Sequence, residues 1–294
     1  FVSEAFNKKA SIAIVNIIDK NNNIKRQIKV KDTLKFLTKS SKIYRQNINT
    51  KIIAITGSCG KTTLKELLGT SLKQISKVSI SPKSYNNKYG VPLSLFNLVQ
   101  KNDYGVLEIG MDKKGEIDYL SKIVQPDVSV ITNINYAHAK NFRNLKQIAL
   151  AKSEIINNTK DNGFIVLNAD DNFFALHKKI ANKKNLKILS FGIDNKNSNI
   201  KLMNIKKVAN KFKATIKVNN FKTYFFISND FQNNILNILA ALAVMSIFLD
   251  ISKINKNIFM GFKTPDGRGD ITKIKINNKN LNLIDESYNS NPLS

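Results

Sequence analysis

The stretch Lys51-Ile-Ile-Ala-Ile-Thr-Gly-Ser-Cys-Gly-Lys-Thr-Thr-Leu64 decides the fold of this chain. Its first half is an apolar, β-branched run that predicts a buried strand, and the residues after Thr62 have the spacing of a helix. Between these two elements, Gly57 and Gly60 bracket a turn. A strand, a glycine-containing turn and a helix N-terminus together form an anion site, because unpaired backbone N–H groups and the helix dipole both favour negative charge there.

The side chains of this loop predict a site for ATP. Lys61 supplies a mobile cation for phosphate oxygens, and the Thr62 hydroxyl is suited to Mg²⁺. Only two residues separate Gly57 from Gly60, whereas the usual P-loop has four residues between its first glycine and its Gly-Lys pair. The short loop therefore indicates a particular kind of ATP site. The flanking strand and helix argue against the alternative, a glycine-rich turn that arose by chance.

The pattern around this loop predicts an α/β fold with a mostly parallel central sheet flanked by helices, because strand and helix signals alternate from residue 51 to about 194. Alternating apolar positions at 200–227 add a region of antiparallel edge strands. The predicted strands of the parallel sheet are 52–55, 78–80, 106–109, 128–132, 164–167 and 188–191. The predicted helices are 33–44, 62–74, 92–99, 116–124, 145–158, 172–181, 233–249 and 254–262, and a strand at 11–15 and a hairpin at 271–284 complete the set.

Changes in the pattern of apolar and polar residues divide the chain into three parts. Residues 1–47 have the pattern of the tail of a small domain, residues 48–264 form the central domain, and residues 265–294 begin another domain. The longest apolar run, at 235–249, contains Asn237 and Ser246 and predicts a buried helix rather than a membrane span.

The composition argues against a role in nucleic-acid binding, despite a net charge of +26 over 294 residues. Only four of the 47 basic residues are arginine, the residue preferred for bidentate contacts with phosphates and bases. The lysines are also spread along the chain rather than gathered in one arm. The single cysteine, Cys59, excludes an intrachain disulfide and indicates an intracellular protein.

Three more side chains are candidates for the chemistry of the site. Glu108 ends a predicted strand, where a carboxylate is placed to hold Mg²⁺ on bound phosphates. His138 follows another strand end on the same rim and is one of two histidines. Lys152 lies in a helix beside small and apolar neighbours, which makes it a candidate for an altered pKa or for modification, although its spacing alone does not single it out. Each of the three also has an ordinary structural explanation: a strand-end charge, a surface or core histidine, and a solvated lysine.

Six motifs in this order resemble the Mur ligases, and the resemblance covers nearly the whole chain. The motifs are Thr56-Gly-Ser-Cys-Gly-Lys-Thr-Thr63, Asn86-Asn-Lys-Tyr-Gly-Val-Pro92, Glu108-Ile-Gly-Met111, Thr132-Asn-Ile134 followed by Ala137-His138, Ala151-Lys-Ser-Glu-Ile155, and Asp285-Glu-Ser-Tyr-Asn-Ser-Asn-Pro292. The second and last motifs, together with Gly115-Glu-Ile117, resemble most the members that add D-alanyl-D-alanine to UDP-N-acetylmuramoyl-tripeptide.

The resemblance implies an ATP-dependent amide-bond ligase of peptidoglycan precursor synthesis that works through an acyl phosphate. It implies ATP and two Mg²⁺ ions as cofactors, UDP-N-acetylmuramoyl-tripeptide and D-alanyl-D-alanine as substrates, and a cytoplasmic, monomeric enzyme. Residues 1–47 would be the tail of an N-terminal domain that binds the UDP-substrate, and residues 265–294 the start of a truncated C-terminal ligase domain. By this interpretation the chain is a fragment, and we expect the fragment alone to be inactive.

The resemblance also assigns roles to individual residues. The residues that would hold the ATP phosphates are Gly57, Ser58, Gly60, Lys61 and Thr63. Thr62 and Glu108 would bind one Mg²⁺, and His138 a second, together with Lys152 in the form of a carbamate. Asn234 or Asn237 would lie at the adenine, and Arg268 would lie near the phosphates. Asp285 would lie on the nucleotide side of the hinge to the C-terminal domain. Asn86 and Asn87 would lie toward the UDP-peptide substrate.

Some positions depart from the family pattern, and two other functions remain as alternatives. The family usually has Ala where this chain has Ser290, Gly where it has Asn135, and Asn or Thr where it has Cys59. None of these changes removes a charged group. The alternative within the enzymes is a ligase similar to folylpolyglutamate synthase, which shares the short loop, or another Mur-type ligase. The alternative outside the ligases is a nucleotide-binding switch or an ATPase stimulated by nucleic acid.

Overall fold

A computed structural model describes residues 1–99, 101–136, 141–228, 234–268, 270–276, 279–285 and 287–288. Its strands are β1 (Ala13–Val15), β2 (Gln27–Lys29), β3 (Lys51–Thr56), β4 (Val78–Ile80), β5 (Tyr104–Glu108), β6 (Val128–Ile131), β7 (Phe164–Asn168), β8 (Lys187–Gly192), β9 (Ile200–Val208), β10 (Lys211–Val218), β11 (Phe221–Ser228), β12 (Asp270–Ile276) and β13 (Lys279–Asp285). Its helices are α1 (Val2–Asn7), α2 (Thr33–Gln46), α3 (Lys61–Lys73), α4 (Gly90–Phe96), α5 (Glu116–Val124), α6 (Leu145–Asn157), α7 (Phe174–Lys183) and α8 (Ile235–Phe248).

A nine-stranded sheet forms the centre of the molecule, in the order β11-β10-β9-β8-β7-β6-β3-β5-β4. The strands from β4 to β9 pair in parallel, and β9, β10 and β11 pair antiparallel at one edge. This confirms the predicted α/β fold with an antiparallel edge region. Because β3 lies between β5 and β6, residues that follow these three strands meet at one rim of the sheet, the place where ligands bind in such folds.

The two faces of the sheet carry separate hydrophobic cores, and β3 contributes to both. Ile53 and Ile55 pack on the face covered by α3 and α8, whereas Ile52 and Ala54 pack on the face covered by α4, α5, α6 and α7. Helix α8 is apolar on all sides and buried along most of its length, as predicted for the run at 235–249. None of the helices in the described residues is long and apolar enough to cross a bilayer.

One buried arginine helps to anchor the part of the chain before the central sheet to the central domain. Arg45 lies at the end of α2 and is 3% exposed. Its guanidinium donates to the carbonyls of Val124 and Gln125 and to the carboxylate of Asp127, which lies 3.0 Å away. The same carboxylate accepts from the backbone N–H of Ile52 in β3. Helix α2 is thus held against the loop between α5 and β6.

One predicted element was wrong and another falls partly outside the described residues. In place of the predicted helix at 254–262, the chain has a short 3₁₀ turn at Ile251–Lys253 followed by further turns. The side chain of Asn255 accepts from the backbone N–H of Asn257, and such local side-chain bonds compete with helix formation. The hairpin of β12 and β13 forms as predicted, but its turn at Asn277-Asn278 lies outside the described residues.

Candidate nucleotide-binding site

The loop between β3 and α3 has the backbone that its glycines predict. Gly57 has a φ of +148° and Gly60 a φ of +78°. Space as well as conformation requires glycine here, because an added Cβ at Gly57 would lie 1.9 Å from the hydroxyl of Thr132 and one at Gly60 would lie 2.9 Å from Asn237 Oδ1. Gly60 is the N-cap of α3 and provides no side-chain cap, so the first N–H groups of the helix are available to an anion.

A second loop, the one that follows β6, holds the phosphate loop in place. The backbone carbonyl of Asn133 accepts from the N–H of Ser58 at 2.9 Å. The side-chain oxygen of Asn133 accepts from the N–H of Cys59 at 3.0 Å. The Thr132 hydroxyl donates to the carbonyl of Cys59 at 2.6 Å. The Ser58 hydroxyl donates to the carbonyl of Asn135 and accepts from its N–H. These bonds preorganise the loop, but they also occupy two of its amides.

Two buried lysines converge on one carbonyl of this loop. The ammonium groups of Lys61 and Lys152 each lie 2.9 Å from the carbonyl oxygen of Gly57, and Lys61 also donates to the carbonyl of Ser58. Lys152 reaches this point from α6 and is 1% exposed. Burial lowers the pKa of Lys61, against an opposing effect of Glu108. Burial, reinforced by the charge of Lys61, holds the pKa of Lys152 well below 10.5.

Glu108, at the end of β5, links the nucleotide helix to the loop that follows β4. Its carboxylate is 1% exposed. One oxygen accepts from the hydroxyl of Thr62 at 2.6 Å, and the other accepts from the side-chain amide of Asn86 at 2.7 Å. Hydroxyl and carboxylate oxygens are the ligands that Mg²⁺ prefers, so Thr62 and Glu108 fit that ion.

Several other predicted residues lie next to this cluster. Asn237, on the first turn of α8, packs against Gly60 and donates to Asn234 at 3.2 Å. Arg268 stacks on the ring of Tyr288 at 4.2 Å and is close enough for its charge to lower the pKa of Lys61. Thr63 is buried on the first turn of α3.

Three other predicted residues are not joined to this cluster by the contacts of the described residues, and their predicted roles stay predictions. Asn87 does not join the cluster through its side chain, which accepts from the backbone N–H groups of Tyr89 and Gly90 at the start of α4. Asp285 accepts from the backbone N–H of Ser287, and among the described residues no hydrogen bond or ion pair links it to the phosphate loop. His138 lies outside the described residues. Among those that are described, no group of three His, Cys, Asp or Glu side chains is placed to hold a metal ion.

The structure also brings in a residue that the sequence did not single out. Lys65, one turn after Lys61 in α3, is completely buried and donates to the carbonyls of Ser81 and Lys83. In the sequence it looks like a solvated helix lysine. The only signal available was its position beside the apolar residues Leu64 and Leu68, which lie in the core.

The short glycine loop, the lysine pair and the Thr62–Glu108 contact at the rim of a parallel sheet define the class of this part of the chain as a P-loop-like nucleotide-binding domain. The Mur ligase middle domain matches residues 55–245, about two thirds of the chain, and the chain therefore belongs to the Mur ligase family. Within the family, relatives that match over the whole chain include ligases named for the addition of D-alanyl-D-alanine.

Two such relatives cover all of this chain. The UDP-N-acetylmuramoyl-tripeptide--D-alanyl-D-alanine ligase of Buchnera aphidicola subsp. Baizongia pistaciae is 33% identical, and that of Rickettsia prowazekii is 32% identical. Among solved structures, MurF from Acinetobacter baumannii is similar with a TM-score of 0.85 at 30% identity over 99% of the chain. MurF from Thermotoga maritima in complex with ADP has a TM-score of 0.84 at 28% identity. The chain spans only 62–66% of the length of these four proteins.

Proposed function

We propose that this chain supplies the ATP-binding part of a ligase that joins D-alanyl-D-alanine to UDP-N-acetylmuramoyl-tripeptide. The observation that carries the proposal is the cluster of Lys61, Thr62, Glu108 and Lys152 at the carboxyl ends of neighbouring strands, in a chain whose full-length matches are ligases of that name. The chain corresponds to less than two thirds of those relatives. The rest of the UDP-substrate site and the amine site are therefore assigned to parts outside it.

The reaction needs a carboxylate to be activated, because a carboxylate itself is a poor acceptor for an amine. Transfer of the γ-phosphoryl group of ATP to the tripeptide carboxylate gives an acyl phosphate, and attack by the dipeptide amine then releases phosphate. Lys61 and the N–H groups at the start of α3 stabilise negative charge on the transferring group. The buried setting of Lys61 strengthens this interaction, because water does not screen it.

We assign Thr62 and Glu108 as ligands of one Mg²⁺, which would neutralise charge on the nucleotide phosphates when bound. Asn86 donates to the second oxygen of Glu108 and so leaves the carboxylate oriented toward Thr62. We assign His138 and Lys152 to a second ion. The lowered pKa of Lys152 supports a carbamate there, because only a neutral amine reacts with CO₂. The product carries carboxylate oxygens, which are ligands that Mg²⁺ prefers.

We further assign Asn234 and Asn237 to the adenine side, Arg268 to the phosphates, Asp285 to the hinge and Asn87 to the UDP-substrate side. A cytoplasmic location follows from the need for ATP. The alternative of a folylpolyglutamate synthase-like ligase has weaker support. Two Lactobacillus casei FPGS variant structures align with TM-scores of 0.55 and 0.56 at 13 and 14% identity, a likeness of fold alone.

A phosphate-release assay tests the proposal in a protein that contains this chain together with the parts that its relatives have in addition. We expect release of phosphate from ATP only when UDP-N-acetylmuramoyl-tripeptide and D-alanyl-D-alanine are both present. Lys61→Ala should abolish it, while Lys73→Ala, which changes an exposed lysine of the same helix, should not. Phosphate release with a folate and glutamate, or full turnover in Lys61→Ala, would contradict the proposal.

A further inference from the structure

Lys65 is a buried ammonium with three oxygen partners. Its Nζ lies 2.7 Å from the carbonyl oxygen of Ser81 and 3.0 Å from a carboxylate oxygen of Glu66, and it also donates to the carbonyl of Lys83. An ammonium has three donors, so the side chain is fully satisfied. Its burial is complete, whereas Glu66 remains 31% exposed. Since burying a charge is costly unless it is paired and hydrogen-bonded, this arrangement needs a reason beyond filling space.

The two carbonyls belong to a segment that lies between the nucleotide site and the predicted substrate side. We call residues 81–87, which follow β4, the 81–87 segment. Ser81 pairs with β5 through its N–H, which donates to the carbonyl of Val106. At the other end of the segment, the carbonyl of Asn86 accepts from the N–H of Gly110 and its side chain donates to Glu108.

The backbone of this segment requires support at the point where Lys65 touches it. Lys83 has a φ of +43°, a left-handed conformation that is unfavourable for a lysine and persists only when its surroundings determine it. The carbonyls of Ser81 and Lys83 turn toward α3, where an apolar side chain at position 65 would leave both without that partner. The bonds from Lys65 therefore stabilise both the turn and its orientation.

We propose that Lys65 is a positioning residue that fixes the 81–87 segment to the nucleotide helix and so sets Asn86 and Asn87 for the UDP-substrate. Lys65 lies four residues after Lys61 and three after Thr62 on the same helix. The helix that holds the ATP phosphates thus also holds the segment that carries the substrate-side asparagines. The functional half of this proposal rests on the proposed ligase function, whereas the structural half does not.

Hydrogen exchange of this chain, followed by mass spectrometry, tests the structural half. In Lys65→Met we expect amides in the peptide covering 82–90 to exchange at least tenfold faster, because Tyr85, Asn86 and Gly90 donate hydrogen bonds that depend on the turn. Exchange in β3 should be unchanged. Lys73→Met, the same change at an exposed site of the same helix, should leave both peptides as in the wild type.

Steady-state kinetics of the longer protein test the functional half. We expect Lys65→Met to raise the KM for the UDP-tripeptide at least tenfold while the KM for ATP stays within twofold. A purely structural lysine would change both constants alike or neither, and that result would overturn the proposal. If the wild type forms no product at all, the proposed function fails, and the exchange result still decides the role of Lys65.

A variant that fails to fold is also informative. If Lys65→Met shows no cooperative thermal unfolding, Lys65→Gln, which keeps N–H donors on a shorter side chain, takes its place in both experiments. If neither variant folds, Lys65 serves the stability of the core, and the proposal is wrong. Unchanged exchange at 82–90 in a folded variant would refute it as well.

Discussion

Replacing Gly57 by alanine tests whether the phosphate loop is packed as described. The new Cβ would lie 1.9 Å from the Thr132 hydroxyl, which cannot move away freely because it donates to the carbonyl of Cys59. Overpacking of this kind costs about 1–3 kcal/mol. The positive φ adds a penalty of roughly 1–2 kcal/mol for a residue with a Cβ. We therefore expect Gly57→Ala to destabilise the protein by about 2–5 kcal/mol, and its Tm to fall by roughly 5–15 °C.

Two matched variants separate the steric from the conformational part of this loss. Gly115 also has a positive φ, of +89°, but an added Cβ there would meet nothing within 4 Å. Gly115→Ala should therefore show only the conformational penalty. In the double variant Gly57→Ala/Thr132→Ala, removal of the hydroxyl should restore part of the stability that Gly57→Ala loses. Differential scanning fluorimetry of the four proteins measures both effects. A Tm for Gly57→Ala equal to that of Gly115→Ala would refute the packing of Thr132 against the loop.

The other predictions concern the metal ligand and the buried lysine. Thr62→Val removes the hydroxyl that contacts Glu108, so it should weaken Mg-ADP binding tenfold or more, which is about 1.4 kcal/mol. Isothermal titration calorimetry measures the affinity, and Thr70→Val, which changes an exposed threonine of the same helix, is the control. Equal affinities of Thr62→Val and the wild type would contradict the assignment. In CO₂-free buffer, the unfolding free energy should rise as the pH rises from the lowered native pKa of Lys152 toward 10.5, because the unfolded chain binds more protons. Lys152→Met should reduce the slope of the unfolding free energy against pH by up to about 1.4 kcal/mol per pH unit. Urea titrations at several pH values measure this slope. Identical slopes for Lys152→Met and the wild type would show that the native pKa of Lys152 is not lowered.

The sequence predicted the fold and the centre of the site because both depend on local patterns. The alternation of strands and helices favours a parallel sheet, and a glycine turn between a strand and a helix is typical of an anion site at the rim of such a sheet. Glu108 was identified as a candidate because strand ends meet at this rim. The structure adds that its two oxygens are already shared between Thr62 and Asn86, 46 and 22 residues away in the chain.

The contacts that the sequence did not predict depend on which face of an element is buried and on which loops meet. Lys65 and Lys152 are both helix lysines, and the sequence around Lys152 is compatible with both a buried and a solvated side chain. Nothing in the spacing of Lys65 shows that the 81–87 segment turns its carbonyls toward it. The support of the phosphate loop by Asn133 likewise requires β3 and β6 to be neighbours, because Asn133 lies 74 positions after Cys59 in the sequence. The turns at 254–262 formed because asparagine side chains bond locally, a competition that apolar spacing does not reveal.

A crystal structure of this chain with ADP and Mn²⁺, using the anomalous signal of manganese to locate the ion, tests the central assignment most directly. We expect the β-phosphate against the N–H groups at the start of α3, with Mn²⁺ coordinated directly by the hydroxyl of Thr62 and a carboxylate oxygen of Glu108. An ion that contacts neither residue, or a nucleotide whose phosphates lie away from residues 57–63, would contradict it.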